Sequence, residues 1–171
     1  MPIFATVSQD DFLAGIQALS AQLGAGDWRP DHLVGVGRGG LVPATFLSHA
    51  VDIPLLSIDI SARVAEFGEA LLDRLAARTA DGQKLLFVDD INDSGGTIAH
   101  LRQRLVASGG VADRARFAVL LDNVRSAQRV DYHHRTIDRA VDKSWFVFPW
   151  EAVAPAATVA ADADAVPERL A

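Results

Sequence analysis

Three aspartates and four small residues follow an apolar run in the stretch LLFVDDINDSGGT, Leu85–Thr97. The carboxylates of Asp89 and Asp90 can accept hydrogen bonds from vicinal hydroxyls or hold magnesium through water. The segment 94–97 offers small side chains and backbone N–H groups at the start of a helix, an arrangement suited to a phosphate. The alternative is a plain strand–turn–helix, in which the aspartates only cap and the glycines only turn. It would explain a lone DD or GG but not the whole string.

A second stretch with chemical potential is VGVGRGGLVPA, residues 34–44. Its glycines allow the backbone to approach a ligand closely. Arg38 adds a permanently charged fork of N–H donors, which suits a phosphate group. Taken alone, the stretch could equally be a glycine-rich turn with a solvated arginine. Beside the acidic stretch, it predicts a second anion-binding segment that includes Arg38, Gly39 and Gly40.

Aromatic residues are concentrated in a third stretch, DKSWFVFPWE, residues 142–151. Side chains along a strand point to alternate faces, so some of these aromatics belong to the core and others can face a ligand.

Apolar strands alternate with helices of modest length, which predicts an α/β fold with a mostly parallel, twisted sheet flanked by helices. Ser8 is the predicted N-cap of the first helix, which ends near Gly24. Ligands of such sheets bind outside the carboxyl ends of the strands, where Asp89 and Asp90 fall. The remaining predicted elements are strands at 32–37, 53–60, 84–90 and 114–121, helices from 41 or 42 to 50 and at 97–108, and strand-like pieces at 130–132 and 145–148.

Two segments are open to more than one interpretation. Residues 60–79 fit either an amphipathic helix or a lid over a site. Residues 152–171 are rich in alanine and contain no aromatic residue, which indicates a mobile tail, although a short docking helix is an alternative. His133 and His134 are expected in a polar, turn-like segment at the surface.

Composition excludes several classes of protein. The chain of 171 residues is about one domain long and contains no cysteine, which excludes disulfides, thiolate zinc sites and cysteine nucleophiles. A net charge of −6 without a basic block argues against nucleic-acid binding. We find no signal peptide and no apolar run that could span a membrane, so a cytoplasmic protein is expected.

LLFVDDINDSGGT closely resembles the phosphoribosyl-pyrophosphate signature of the type I phosphoribosyltransferases. The resemblance implies that Asp89 and Asp90 bind the ribose 2- and 3-hydroxyls and magnesium. It also implies that Asp93 lies near the base and assists proton transfer at a ring nitrogen. The residues expected to cradle the 5-phosphate are Asp93, Ser94, Gly95, Gly96 and Thr97.

The other two stretches also resemble parts of this family. GRGG is similar to the pyrophosphate loop, in which Arg38 would neutralise the leaving group and an adjacent peptide bond is often cis. DKSWFVFPWE resembles the C-terminal hood of bacterial and archaeal xanthine-guanine and hypoxanthine enzymes. By position, Trp145 would stack on the purine, Phe146 would read its edge through the main chain, and Glu151 would be the metal-side acid.

The resemblance implies the type I phosphoribosyltransferase fold, in a single domain of residues 1–151 with a small hood from about 125 to 151. It implies a magnesium-dependent transfer from phosphoribosyl pyrophosphate to hypoxanthine, guanine or xanthine, by a homodimer or homotetramer. The alternatives are a regulator that binds phosphoribosyl pyrophosphate without catalysis and a doubly wound protein for another phosphate ligand.

Two departures from the family pattern bear on base identity and activity. The family lysine that follows the fourth strand is absent, and Asp122, Asn123 and Arg125 are the nearby candidates. The usual Ser-Tyr pair after the second strand is also absent, with Ser61 and Arg63 as possible substitutes.

Overall fold

A five-stranded parallel sheet is the centre of the computed structural model, which describes residues 3–60 and 65–164. The seven strands are β1 (Phe4–Thr6), β2 (His32–Val36), β3 (Leu55–Ile58), β4 (Leu85–Asn92), β5 (Ala115–Asn123), β6 (Tyr132–Ile137) and β7 (Trp145–Val147). The main sheet has the order β3-β2-β4-β5-β6, and β1 pairs with β7 in a separate parallel ribbon. The predicted α/β fold with a parallel sheet is confirmed.

The α-helices of the described residues are α1 (Gln9–Ala25), α2 (Gly37–Val51), α3 (Ala65–Ala80), α4 (Gly96–Ala107) and α5 (Ala156–Asp164), and α1 to α4 pack on the sheet. Short 3-10 turns cover Ala112–Arg114 and Pro149–Glu151. The predicted cap of α1 is confirmed, because the Ser8 hydroxyl accepts a hydrogen bond from the Asp11 N–H at 3.1 Å. None of the helices in the described part of the chain is long and apolar enough to cross a bilayer.

Apolar side chains cover both faces of the sheet, as expected for parallel strands. On one face, Leu33 and Leu86 pack with the buried side of α1 and α2; on the other, Val34 and Phe87 pack with α3 and α4. Neighbouring residues of β2 and β4 therefore point to opposite faces and both are buried. This double coverage holds β4 rigidly in the middle of the sheet, with its carboxyl end at the rim.

Several predictions need correction. Helix α2 begins at Gly37, about four residues earlier than predicted, so GRGG forms its first turn rather than a loop. The segment 65–80 is a helix with Leu72 and Ala76 fully buried, which favours a fixed element over a lid. Ser61 and Arg63 lie outside the described residues. His133 and His134 are half-buried in β6 rather than exposed in a turn.

The tail predicted to be mobile contains α5, in which Ala163 is only 3% exposed. Residues 156–164 are thus helical, as in the docking-helix alternative, whereas residues 165–171 lie outside the described part of the chain. The sequence analysis also missed β1 and the full length of β6. Strand β1 is only three residues long and has no clear alternation, so its pairing with β7 could not be read from its own pattern.

Candidate active site

Asp89 and Asp90 lie near the carboxyl end of β4, half-buried between β2 and β5. Burial, followed by the negative charge of Asp90, raises the pKa of Asp89 well above its usual value. Burial also raises the pKa of Asp90 to about 7, and the negative charge of Glu151 adds to this shift. Among the described residues, the ion pairs include neither of these aspartates. The pair thus has no cationic partner among the described residues, and the raised pKa values favour the protonated form of each carboxyl.

Glu151 is placed by the 3-10 turn that follows Phe148. Its Oε2 accepts a hydrogen bond from the Phe148 N–H at 2.9 Å, which fixes the carboxylate while its charge acts on Asp90. In the described residues, however, no three Asp, Glu or His side chains form a ready metal cage. The predicted acids are therefore in electrostatic contact, but a cation here would need oxygen ligands from elsewhere as well.

The first turn of α2 passes directly over the β4 carboxylates. A Cβ atom on Gly39 would overlap the Asp90 carboxylate, and one on Gly40 would overlap the Val88 carbonyl. Glycine is therefore required for the close approach of helix and strand. The N-terminal N–H groups of α2, which have no partner within the helix, lie beside the acidic pair, with Arg38 exposed next to them. The predicted cis peptide is not found, since no described peptide bond is cis.

The segment from Asp93 to Thr97 turns from β4 into α4. Gly95, the N-cap of α4, has φ +92°, and a Cβ there would lie 2.8 Å from the Gln128 nitrogen. Only glycine fits both restrictions. The Gly96 N–H donates to Ser94 Oγ at 3.3 Å. Ser94 and Thr97 are exposed at the start of α4, which is the geometry of an anion site at a helix N-terminus.

Buried polar groups at the ends of β4 and β5 and in the segment after β5 form hydrogen bonds with each other and with this turn. Asn92 Nδ2 donates to Asp122 Oδ1 at 2.7 Å, and Ser126 Oγ donates to Asn92 Oδ1 at 2.9 Å. The Ala127 N–H donates to the Ser94 carbonyl at 3.1 Å. The turn is therefore held in one conformation before any ligand binds, which reduces the entropy cost of binding.

Asp93 is in a different environment, because its carboxylate is paired with Arg139. Arg139 Nε donates to Asp93 Oδ1 at 2.9 Å, and Nη2 donates to Oδ2 at 2.7 Å. Arg139 is only 5% exposed, and its guanidinium lies 5.3 Å from the centre of the Phe146 ring. Asn123 Nδ2 also donates to the Asp93 carbonyl, at 3.0 Å. The sequence analysis missed Arg139.

The predicted base-binding residues lie in β7. Trp145 is half-buried, whereas Phe146 is 9% exposed and belongs to the core, consistent with a contribution through its main chain. Phe148 and Trp150 stack on each other with ring centres 4.8 Å apart, and Phe148 is buried. The expectation that some aromatics of this stretch belong to the core is confirmed.

The residues at the place of the family lysine are occupied by other contacts. Asp122 and Asn123 are buried and hydrogen-bonded within the protein. Arg125 points to the surface, where it pairs with Asp138. Arg139 is a cation that contacts both Asp93 and Phe146 of β7.

Comparison with known proteins gives a consistent result. The family model of the phosphoribosyl transferase domain matches residues 7–155. Xanthine-guanine phosphoribosyltransferases from Idiomarina loihiensis and Cereibacter sphaeroides are 30% and 31% identical, over 70% and 74% of this chain and 70% and 71% of theirs. A purine phosphoribosyltransferase crystal structure from Pyrococcus horikoshii has 25% identity and a TM-score of 0.63, covering 85% of this chain and 92% of that one.

Proposed function

The chain belongs to the phosphoribosyltransferase family, and on that premise we propose that it transfers the 5-phosphoribosyl group from phosphoribosyl pyrophosphate to a purine base. Hypoxanthine, guanine and xanthine are the proposed bases, and pyrophosphate is the second product. One observation supports this best: two aspartates without a counter-charge lie between two helix N-termini at the carboxyl edge of the sheet. Such a site suits a ligand with hydroxyls between two phosphate groups.

Each part of phosphoribosyl pyrophosphate has proposed partners. Asp89 and Asp90 accept hydrogen bonds from the ribose hydroxyls. The turn at 93–97 and the first N–H groups of α4 bind the 5-phosphate. Arg38 and the backbone at Gly39 and Gly40 bind the pyrophosphate, whose negative charge grows as the bond to the sugar breaks. Asp93 lies on the base side of the 5-phosphate turn, where it orients the ring nitrogen that attacks C1.

Magnesium is the proposed cofactor, and the donor set fits it, since hard carboxylate oxygens are its preferred ligands. Asp89 and Asp90 would hold the ion, with Glu151 on its pyrophosphate side. Because these three groups do not form a complete cage, the remaining ligands would be water and substrate oxygens. When bound, the ion supplies positive charge that stabilises the leaving pyrophosphate.

The base is proposed to lie between the β4 edge and β7. Trp145 offers a wide aromatic face for stacking, and the Phe146 main chain offers an N–H and a C=O for the base edge. A base bound between the β4 edge and β7 would exclude water from this part of the site, so that the base rather than water attacks the sugar.

We also infer that residues 1–151 form one catalytic unit with a hood from about 125 to 151. The enzyme is proposed to act in the cytoplasm as a homodimer or homotetramer. Light scattering coupled to size-exclusion chromatography measures the mass directly. A monomer at micromolar concentration would contradict the oligomer.

A steady-state assay with phosphoribosyl pyrophosphate, magnesium and a panel of bases tests the function. We expect turnover of at least one 6-oxopurine and release of one pyrophosphate per nucleotide formed. Binding of phosphoribosyl pyrophosphate in calorimetry without turnover of any base would favour the regulator. If phosphoribosyl pyrophosphate does not bind at all, the site belongs to another phosphate ligand.

A further inference from the structure

Arg139 directs nearly all of its hydrogen-bond donors to groups of the protein. Nε and Nη2 bind the Asp93 carboxylate, as described above. Nη1 donates to the Ser144 carbonyl at 2.6 Å and to the Asp142 carbonyl at 3.3 Å. The guanidinium plane lies over Phe146. Such a planar, buried, multiply bonded arginine fixes the groups around it in a way that a flexible lysine does not.

The groups that Arg139 joins belong to two separate segments of the proposed site, the 5-phosphate turn and the hood. Asp93 is the first residue of the 5-phosphate turn. Asp142 and Ser144 immediately precede Trp145, the proposed stacking residue of the base. The Arg139 N–H itself donates to Asn123 Oδ1 at 3.3 Å, and Asn123 Nδ2 binds the Asp93 carbonyl. Side chain and main chain therefore both link the hood to the turn.

We propose that Arg139 is a positioning residue that clamps the 5-phosphate turn to the base-binding hood, so that the two half-sites form one rigid unit. The proposal rests on the proposed function of these half-sites. A rigid link fixes the separation between the base nitrogen and C1 of the sugar, and errors of about 1 Å in such a separation slow reactions greatly. It also means that order imposed by one ligand reduces the entropy cost of the other.

The charge of Arg139 has a second effect. Asp93 would otherwise add a third uncompensated carboxylate to Asp89 and Asp90. Arg139 neutralises it from β6–β7, whereas the family pattern places a lysine after β5. In this chain, the cation of the base side thus comes from the hood rather than from the sheet.

The test compares Arg139→Lys with Arg116→Lys. Arg116 is a matched control, because it also pairs with an aspartate (Asp131, 3.8 Å) and stacks on an aromatic ring (Trp28, 4.7 Å). It lies near the start of β5, at the opposite edge of the sheet. Both substitutions keep the positive charge and remove the planar fork, at a side chain that is 6% exposed in Arg139 and 37% exposed in Arg116.

We expect Arg139→Lys to raise the Michaelis constants for the base and for phosphoribosyl pyrophosphate together, each about tenfold, with Arg116→Lys within twofold of the parent. Arg139→Gln should give a larger rise of both constants. If Arg139→Gln does not fold, the lysine variant alone decides. Constants that stay within twofold in Arg139→Lys, with only a lower melting temperature, would show a purely structural ion pair and overturn the proposal.

Hydrogen exchange of the ligand-free protein separates the clamp from the function. In Arg139→Lys, we expect the amides of 93–97 and of 142–147 to exchange about tenfold faster, and to do so together. Faster exchange in only one of the two segments, or in neither, overturns the clamp. If the parent turns over no base but both segments respond, the proposed function is wrong and the clamp is supported.

Discussion

The acidic residues at the end of β4 fall into two opposite electrostatic environments. Burial is the main cause that raises the pKa of Asp89 and of Asp90, and a neighbouring carboxylate adds to each shift: Asp90 acts on Asp89, and Glu151 acts on Asp90. Asp93, only three residues after Asp90, is instead bound at two points by a buried arginine. An aspartate carboxyl therefore has no counter-charge at Asp89 and Asp90, whereas at Asp93 it has the guanidinium of Arg139.

The two environments differ in the source of the positive counter-charge. For Asp93 the protein provides it through Arg139, whereas for Asp89 and Asp90 it would have to come with a ligand. On the proposed function, the Asp89–Asp90 side would receive a cation and the sugar hydroxyls. The Asp93 side is neutral before any ligand binds, as suits a pocket for an uncharged base. Replacing an aspartate by asparagine on each side should therefore have opposite effects on stability.

Asp93→Asn should lower the free energy of unfolding by about 3 kcal/mol, because it leaves the 5%-exposed Arg139 without its counter-charge. Urea denaturation of the ligand-free protein at pH 8 measures this. Asp131→Asn, which removes the partner of the more exposed Arg116, is the control and should cost at most about 1 kcal/mol. Equal losses in the free energy of unfolding of the two variants would contradict the idea that the Asp93–Arg139 pair differs from an ordinary surface ion pair.

Asp90→Asn should have the opposite sign and stabilise the ligand-free protein by about 2 kcal/mol at pH 8. The pKa of Asp90 is raised from 3.8 to about 7, so between these values the folded protein binds its proton more tightly than the unfolded chain. The stability that this carboxyl contributes is complete below pH 4 and is lost as the pH rises through 7. Asparagine has no such loss.

The gain from Asp90→Asn should therefore be largest at pH 8 and disappear near pH 4. Denaturation curves at several pH values measure it. The same variant should reduce kcat/KM for phosphoribosyl pyrophosphate at least a hundredfold, about 2.7 kcal/mol of transition-state stabilisation. A variant that is less stable than the parent at pH 8 would mean that the carboxyl pair has a structural role.

Trp145→Ala tests whether the base and phosphoribosyl pyrophosphate are bound by separate parts of the site, and it has the smallest expected effect. Loss of stacking on the base should cost about 1.4 kcal/mol and raise the Michaelis constant of the base about tenfold. The constant for phosphoribosyl pyrophosphate should stay within twofold, because none of its proposed contacts, at 38–40, 89–97 and Glu151, involves Trp145. If both constants change together, Trp145 supports the fold rather than the base.

The phosphate side could be predicted from the sequence because its residues are contiguous. The stretch Leu85–Thr97 contains the strand, the acids, the turn and the helix start, and each has a local physical signature. The same holds for the approach of α2, where the glycines in GRGG indicate close contact with another group, although not that the group is Asp90.

The base side could not be predicted to the same extent, because its contacts are non-local. Arg139 lies in RTIDRAVD, a stretch in which nothing local marks one arginine as buried. Its partner Asp93 precedes it in the sequence by the whole of α4, β5 and β6. Similarly, the pairing of β1 with β7 depends on which short strands meet in space. Contacts between segments far apart in the sequence, such as Asp93–Arg139 and β1–β7, leave no local pattern from which they could be predicted.

The β1–β7 ribbon has a consequence for how the protein is made. Phe4 pairs with Trp145, so β1 remains unpaired until β7, the last of the described strands, has been synthesised. Strands β2 to β5 and helices α2 and α4 can assemble well before that. The phosphate side is therefore built early and the base side last. A nascent chain interrupted before residue 145 would hold the elements that bind the sugar phosphate but have no place for a base.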